Sequence, residues 1–139
     1  MRTTVPVQIR WADLDAYGHV NNAAVFTLLE EARIALFWKG RDDAATQLAT
    51  FIAHQEIEYL APLGYPEEPV PIAVWISKIG GASAEVCYEI PNAHGDVAAR
   101  ARTTIVMVNP ATGSPRRITD GEREAWQPLL DDPVQFRRG

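Results

Sequence analysis

A short polar segment, residues 11–22, leads without a break into a long apolar segment, and this succession most constrains the fold. Asn21 or Asn22 is a suitable N-cap, so the pattern predicts a helix from this point to about Trp38. The polar segment holds carboxylates and an imidazole beside the unpaired amides of a helix N-terminus, where anionic groups bind well. The segment is therefore a candidate site for chemistry on a carbonyl group.

The predicted helix is apolar around most of its circumference, which is typical of a helix that is buried rather than laid on a surface. Glu30 and Arg33 stand one turn apart and are expected to form its only polar stripe. Gly40 is expected to end the helix.

Alternating and continuous apolar patterns predict five strands, at residues 5–11, 50–60, 70–78, 82–90 and 96–108, and a short helix at residues 119–130. The pleat suggests a hairpin register with Ile90 opposite Val97 and Glu85 opposite Arg102. The third strand is apolar on both sides, and the chain does not obviously supply a cover for its outer face. We therefore expect an α+β fold that assembles as a homo-oligomer.

Composition argues against several classes of function. The 139 residues fit one domain, 1–139, and the net charge of −5 disfavours nonspecific binding to nucleic acid or to an anionic membrane. The single cysteine, Cys87, allows no disulfide within the chain and fits a reducing compartment. The first residues lack the apolar stretch of a secretory signal, and no segment has the length of a membrane span, so a cytoplasmic protein is expected.

Several motifs resemble those of the hotdog-fold acyl-CoA thioesterases, the group of 4-hydroxybenzoyl-CoA thioesterase and the long-chain acyl-CoA thioesterases. They are DLDAYGHVNNA at 13–23, LEEAR at 29–33, EYLAP at 58–62, GGAS at 80–83 and NPATG at 109–113. The resemblance runs from Val5 to about Trp126. It implies an antiparallel sheet of about five strands wrapped around one long central helix, in a dimer with a continuous sheet and often a tetramer.

The resemblance also implies roles for residues. Asp15 falls at the position of the catalytic carboxylate, as nucleophile or general base, and the oxyanion-binding amide maps to about Asn22. The substrate would be an acyl thioester of coenzyme A or of an acyl carrier protein, with no cofactor beyond the coenzyme A of the substrate and no metal. The further candidates are His19 for catalysis and Tyr17, Val20, Asn21, Phe26, Tyr59 and Ser83 for substrate binding.

Each assignment has a structural alternative. Asp15 could only cap the turn, His19 could be a structural loop residue, and Asn21 and Asn22 could only cap the helix. Arginines 100, 102, 116 and 117 are candidates for coenzyme A phosphates, although such residues are more often paired or solvated. A noncatalytic module that binds or senses acyl-CoA is the main alternative function. A hotdog dehydratase is a third, but its arrangement of histidine and acid is not found in this sequence.

Overall fold

The computed structural model describes residues 1–37 and 49–137 and contains a five-stranded antiparallel sheet with the order β1-β3-β4-β5-β2. The strands are β1 (Thr3–Val7), β2 (Thr50–Tyr59), β3 (Val70–Ile79), β4 (Ser83–Pro91) and β5 (Val97–Met107), and the helices are α1 (Asn22–Phe37) and α2 (Asp120–Trp126). This is the α+β hotdog architecture that the resemblance implied. The predicted helix end at Trp38 and Gly40 lies outside the described residues.

The start of the chain departs from the predicted first strand. β1 ends at Val7, and Trp11 begins a short 3₁₀ turn, Trp11–Asp13, with its side chain 77% exposed. The alternation of apolar residues therefore overestimated the strand by four residues at its C-terminal end.

Helix α1 packs on one face of the sheet, which we call the inner face. Leu28, Leu29 and Ala32 are at most 2% exposed and belong to the main core. Phe26 and Ile34 are each 41% exposed, so the helix is buried on one side rather than around most of its circumference. The expectation that the helix is buried rather than laid on a surface holds for only one side of α1, because part of its apolar surface is open.

Arg33 does not lie on a polar stripe with Glu30. Its side chain is buried, only 6% of the residue is exposed, and its Nη1 donates to the hydroxyl of Tyr88 on β4 at 3.1 Å. Among the described residues Arg33 forms no salt bridge, whereas the buried carboxylates of Asp13 and Glu122 each bind an arginine. Arg33 therefore bonds to Tyr88 on the sheet and not to Glu30, its neighbour one helical turn away.

The β4–β5 hairpin is shifted by two residues from the predicted register, so that Ile90 lies opposite Ala99 and Tyr88 opposite Ala101. One residue of the shift comes from the turn, where Pro91 lies opposite Val97, and the other from a bulge between Ile90 and Pro91. A shift of two residues keeps every side chain on its predicted face. The attraction between Glu85 and Arg102 also survives, as a diagonal ion pair of 3.7 Å.

The outer face of β3 and of the adjoining part of β4 is covered by the chain itself. The indole of Trp75 on β3 donates to the carbonyl of Asp132 at 2.7 Å, and Val134 packs against Trp75 and Cys87. The expectation that the outer face of the third strand needs a partner subunit was therefore wrong, since residues 130–136 supply the cover. No helix in the described part of the chain is long and apolar enough to cross a membrane.

Candidate active site

The turn between the 3₁₀ segment and α1 is organised by the carboxylate of Asp15. Its Oδ1 accepts hydrogen bonds from the backbone N–H groups of Tyr17 at 2.8 Å and His19 at 3.2 Å. The Asp15 amide donates to the carbonyl of His19, and Gly18 closes the turn with a φ of +75°, a conformation that favours glycine. One carboxylate oxygen thus holds the turn, while Oδ2 forms no hydrogen bond within the described residues.

Asp13 is buried and holds the same loop through hydrogen bonds. Its carboxylate accepts from the backbone N–H of Arg10 and pairs with the Arg10 guanidinium, each at 2.8 Å. The hydrogen bond from Arg10 holds the pKa of the Asp13 carboxyl below its usual range, against the opposing effect of burial. Its own carbonyl accepts from the Asn21 amide at 2.8 Å. Asp13 therefore binds the two ends of the loop together.

The N-terminus of α1 presents one unused amide. Asn21 is the N-cap, since its Oδ1 accepts from the Ala23 N–H at 2.8 Å and its carbonyl accepts from the Ala24 N–H at 2.9 Å. The N–H of Asn22 forms no hydrogen bond within the described residues. An unpaired amide at the positive end of a helix is suited to bind a developing oxyanion.

Both groups border a single pocket with a volume of about 350 Å³. Asp15, His19 and Asn22 lie at its polar end, and its apolar walls come from α1, from the segment after β2, and from the β4–β5 hairpin. The residues that form these apolar walls are Val20, Val25, Tyr59, Leu60, Ala61, Pro62, Leu63, Ile90, Ala98 and Ala99. A carboxylate, a free amide and an apolar cavity are what an enzyme acting on an acyl group requires.

Tyr59 joins the sheet to the start of the helix across this pocket. Its hydroxyl donates to the backbone carbonyl of Asn22 at 2.9 Å, and partial burial raises the pKa of its phenol. This contact fixes the first turn of α1, and with it the Asn22 amide, relative to the end of β2.

The structure separates several predicted site residues from this pocket. The Tyr17 side chain is 84% exposed, and Phe26 is 41% exposed on α1. Asn21 is used as the helix cap, and Ser83 lines a different depression of about 150 Å³ at the opposite end of β4. Within this subunit the structure therefore brings Asp15, His19, Val20, Asn22 and Tyr59 together and leaves these four outside.

His19 lines the pocket with an exposed side chain, and its backbone rather than its imidazole contacts Asp15. Among the described residues, the imidazole of His19 forms no hydrogen bond with Asp15.

Much of the apolar lining of the pocket was missed from sequence. Leu63, Ile90, Ala98 and Ala99 carry no chemical signature and could have been found only from a correct hairpin register and the path of the loop after β2.

Most of the arginines proposed for phosphate binding have other partners. Arg100 pairs with Glu58 and Glu89 on the outer face, and Arg102 pairs there with Glu56 and Glu85. Arg116 forms a two-pronged pair with Glu122. In residues 1–37 and 49–137, no group of three or more His, Cys, Asp or Glu side chains is placed to hold a metal ion.

Comparison with known proteins shows the family to which this chain belongs. Residues 9–131 match the sequence profile of the Thioesterase-like superfamily. The uncharacterized protein YsmA of Bacillus subtilis is 31% identical over 119 residues, which is 85% of this chain and 80% of that protein.

Solved structures of thioesterases are also similar to this chain. A predicted thioesterase from Bacillus stearothermophilus superposes with a TM-score of 0.85 at 27% identity, covering 96% of this chain and all of that one. A thioesterase from Thermus thermophilus, solved with coenzyme A and zinc, superposes with a TM-score of 0.76 at 30% identity, covering 95% of each chain. This chain therefore belongs to the thioesterase-like superfamily and is a thioesterase with the hotdog fold.

Proposed function

We propose that this protein hydrolyses acyl-CoA thioesters, with Asp15 as the catalytic carboxylate and the Asn22 amide as the oxyanion donor. The observation that carries the proposal is that Asp15 and Asn22 line one apolar pocket, while Asp15 Oδ2 and the Asn22 N–H form no hydrogen bond within the described residues. Support for coenzyme A as the carrier comes from the Thermus thermophilus relative, which was solved with that molecule. An acyl carrier protein would present the same thioester group.

The chemistry follows from the properties of a thioester. Its carbonyl carbon is electrophilic and its thiolate leaves readily, so one carboxylate is sufficient. Asp15 Oδ2 either attacks the carbonyl, forming an anhydride that water then hydrolyses, or takes a proton from the water that attacks. In both routes the C–S bond breaks and a carboxylic acid and a free thiol are formed. The negative charge that develops on the carbonyl oxygen is stabilised by the Asn22 N–H.

We further propose that the subunit forms a dimer through the free edge of β2. This edge strand has ten residues and exposes Phe51 at 46% and Ile52 at 37%. The other edge strand, β1, has five residues and contains Pro6, which blocks a continuing ladder. Pairing of two β2 strands would give the free backbone N–H and C=O groups of each edge a partner.

The test is thiol release from acyl-CoA by the wild-type protein and by Asp15→Asn. Asparagine keeps an Oδ1 acceptor for the Tyr17 and His19 amides, so the turn is preserved while the negative charge is lost. The turnover number should fall by about 10²-fold or more. Asp96→Asn, an exposed turn carboxylate outside the pocket, is the matched control and should retain full activity.

Unchanged turnover in a folded Asp15→Asn variant would refute the role of Asp15. Tight binding of acyl-CoA by the wild-type protein without any thiol release would instead favour the noncatalytic binding module.

A further inference from the structure

We infer that the pocket is blind and accepts acyl groups of no more than about eight carbons, or a single aromatic ring, with Ile90 as the residue that sets this limit. The inference rests on the proposed function, since it assigns the pocket to the acyl group of the substrate. It adds a substrate class and a specificity-determining residue, both taken from the packing behind the pocket.

The inner wall consists of one residue from each of three elements. Val25 on α1 is 4% exposed, Ile90 on β4 is 1% exposed and Ala99 on β5 is 5% exposed. Ile90 and Ala99 are direct partners across the β4–β5 ladder, so they form one layer of the inner face. An acyl group bound with its carbonyl at Asn22 would point its far end toward this layer.

The next layer closes the pocket. Tyr88 and Ala101 follow Ile90 and Ala99 on the same face, two residues along each strand and roughly 6–7 Å deeper. Tyr88 is fully buried, Ala101 is 1% exposed, and neither borders the pocket. Leu29 of α1, also fully buried, packs in the same core. The pocket therefore ends at Ile90 and does not continue as a tunnel beneath the helix.

Tyr88 is held in place and cannot readily turn aside to admit a longer chain. Its hydroxyl accepts the 3.1 Å hydrogen bond from the buried guanidinium of Arg33. Moving the ring would break this bond to a buried charged donor, which is costly in a core. The back wall is thus rigid, whereas Ile90 in front of it can be truncated.

The volume sets the size of the acyl group. A cavity of about 350 Å³ holds on the order of a dozen methylene-sized groups, at about 30 Å³ each, the volume that one water molecule occupies in the liquid. The thioester and the end of the thiol arm use about four of these. About eight remain, enough for a medium-length chain or one substituted ring.

The experiment is a series of straight-chain acyl-CoA substrates from two to sixteen carbons, with thiol release as the readout. In parallel, binding of the corresponding uncleavable S-alkyl-CoA thioethers is measured by calorimetry. For the wild-type protein, kcat/KM and affinity should rise up to about fourfold per methylene and then fall beyond about eight carbons. Ile90→Ala removes three carbon atoms and should move both optima to chains about two or three carbons longer.

The matched control is Ile105→Ala. Ile105 is also 1% exposed and lies in the same core, but it does not border the pocket. The two variants lose the same atoms and suffer a similar loss of packing, so only a pocket role moves the chain-length optimum. The control should destabilise the protein while leaving the wild-type optimum in place.

Four results separate the two proposals. Affinity that keeps rising to sixteen carbons in the wild-type protein would overturn the blind pocket. An optimum that does not move in Ile90→Ala, or that moves equally in Ile105→Ala, would overturn the role of Ile90. Thioethers that bind with the expected cutoff, while no acyl-CoA releases thiol, would support the pocket and overturn only the proposed hydrolysis. A failure of every member to bind would overturn both.

Discussion

Replacing Tyr88 with phenylalanine tests the anchoring of the back wall most directly. The substitution keeps the buried ring and removes only the hydroxyl that accepts from Arg33. Tyr88 is fully buried and Arg33 is 6% exposed, so water reaches this bond poorly. A hydrogen bond to a charged group contributes about 1.5–3 kcal/mol, and the free energy of unfolding should fall by about that amount.

A double-mutant cycle distinguishes this bond from a general loss of packing. Arg33→Met removes the charge while keeping a long apolar side chain. When both partners are removed, no buried polar group remains unsatisfied, so the double variant should be more stable than the sum of the single effects predicts. We expect a coupling free energy of at least about 1 kcal/mol.

The assay is urea unfolding at one fixed protein concentration, because the proposed dimer would make the apparent stability depend on concentration. Tyr65→Phe removes a hydroxyl from a ring that is 51% exposed and should change the stability by less than about 0.5 kcal/mol. Equal effects of Arg33→Met in the wild-type and Tyr88→Phe backgrounds would refute the reasoning, since the two side chains would then act independently.

Two further predictions concern acid stability and assembly. Glu122→Gln should lower the free energy of unfolding at pH 7 by about 1–3 kcal/mol, because it breaks the two-pronged pair with Arg116. Arg116 holds the pKa of Glu122 below its ordinary value of 4.5, so the pair stabilises the fold above that pH and is lost as pH falls through the lower folded-state pKa. Urea unfolding at decreasing pH should therefore show a smaller acid-induced loss in the variant; an equal loss would contradict this account. Ile52→Lys places a charge on the β2 edge and should shift sedimentation from dimer to monomer, whereas Tyr65→Lys, an exposed loop position, should not; a wild-type monomer would contradict the proposed assembly.

The local part of the fold was predictable because its causes are local. The polar turn and the start of α1 depend on residues within six positions of one another: the Asp15 carboxylate, Gly18 at positive φ and the Asn21 cap. Such bonds are encoded in a short stretch of sequence. The helix was accordingly predicted to begin within one residue of Asn22, and the five strands were predicted in the correct order along the chain.

The remaining features depend on partners far away in sequence. Arg33 is buried because Tyr88 meets it from 55 residues away, and the outer face of β3 is covered because Asp132 reaches Trp75 across 57 residues. The periodic pattern of apolar residues in a helix or strand carries no information about such contacts. The inner wall of the pocket was not predicted for the same reason, because the bulge at Pro91 helps to place Ile90 opposite Ala99.

Within the turn, some polar atoms hold the backbone in place while neighbouring atoms remain available to bind a substrate. At Asp15, Oδ1 is used by two backbone amides and Oδ2 is left without a partner among the described residues. At the helix start, the Asn21 side chain takes the Ala23 amide and leaves the Asn22 amide unused. In each case the bond that secures the backbone also orients the unused atom beside it. The structural and catalytic interpretations of these residues are therefore compatible, because they involve different atoms. Loss of the charge at Asp15 and loss of the turn are accordingly separable effects, and for this reason asparagine rather than alanine is the informative substitution.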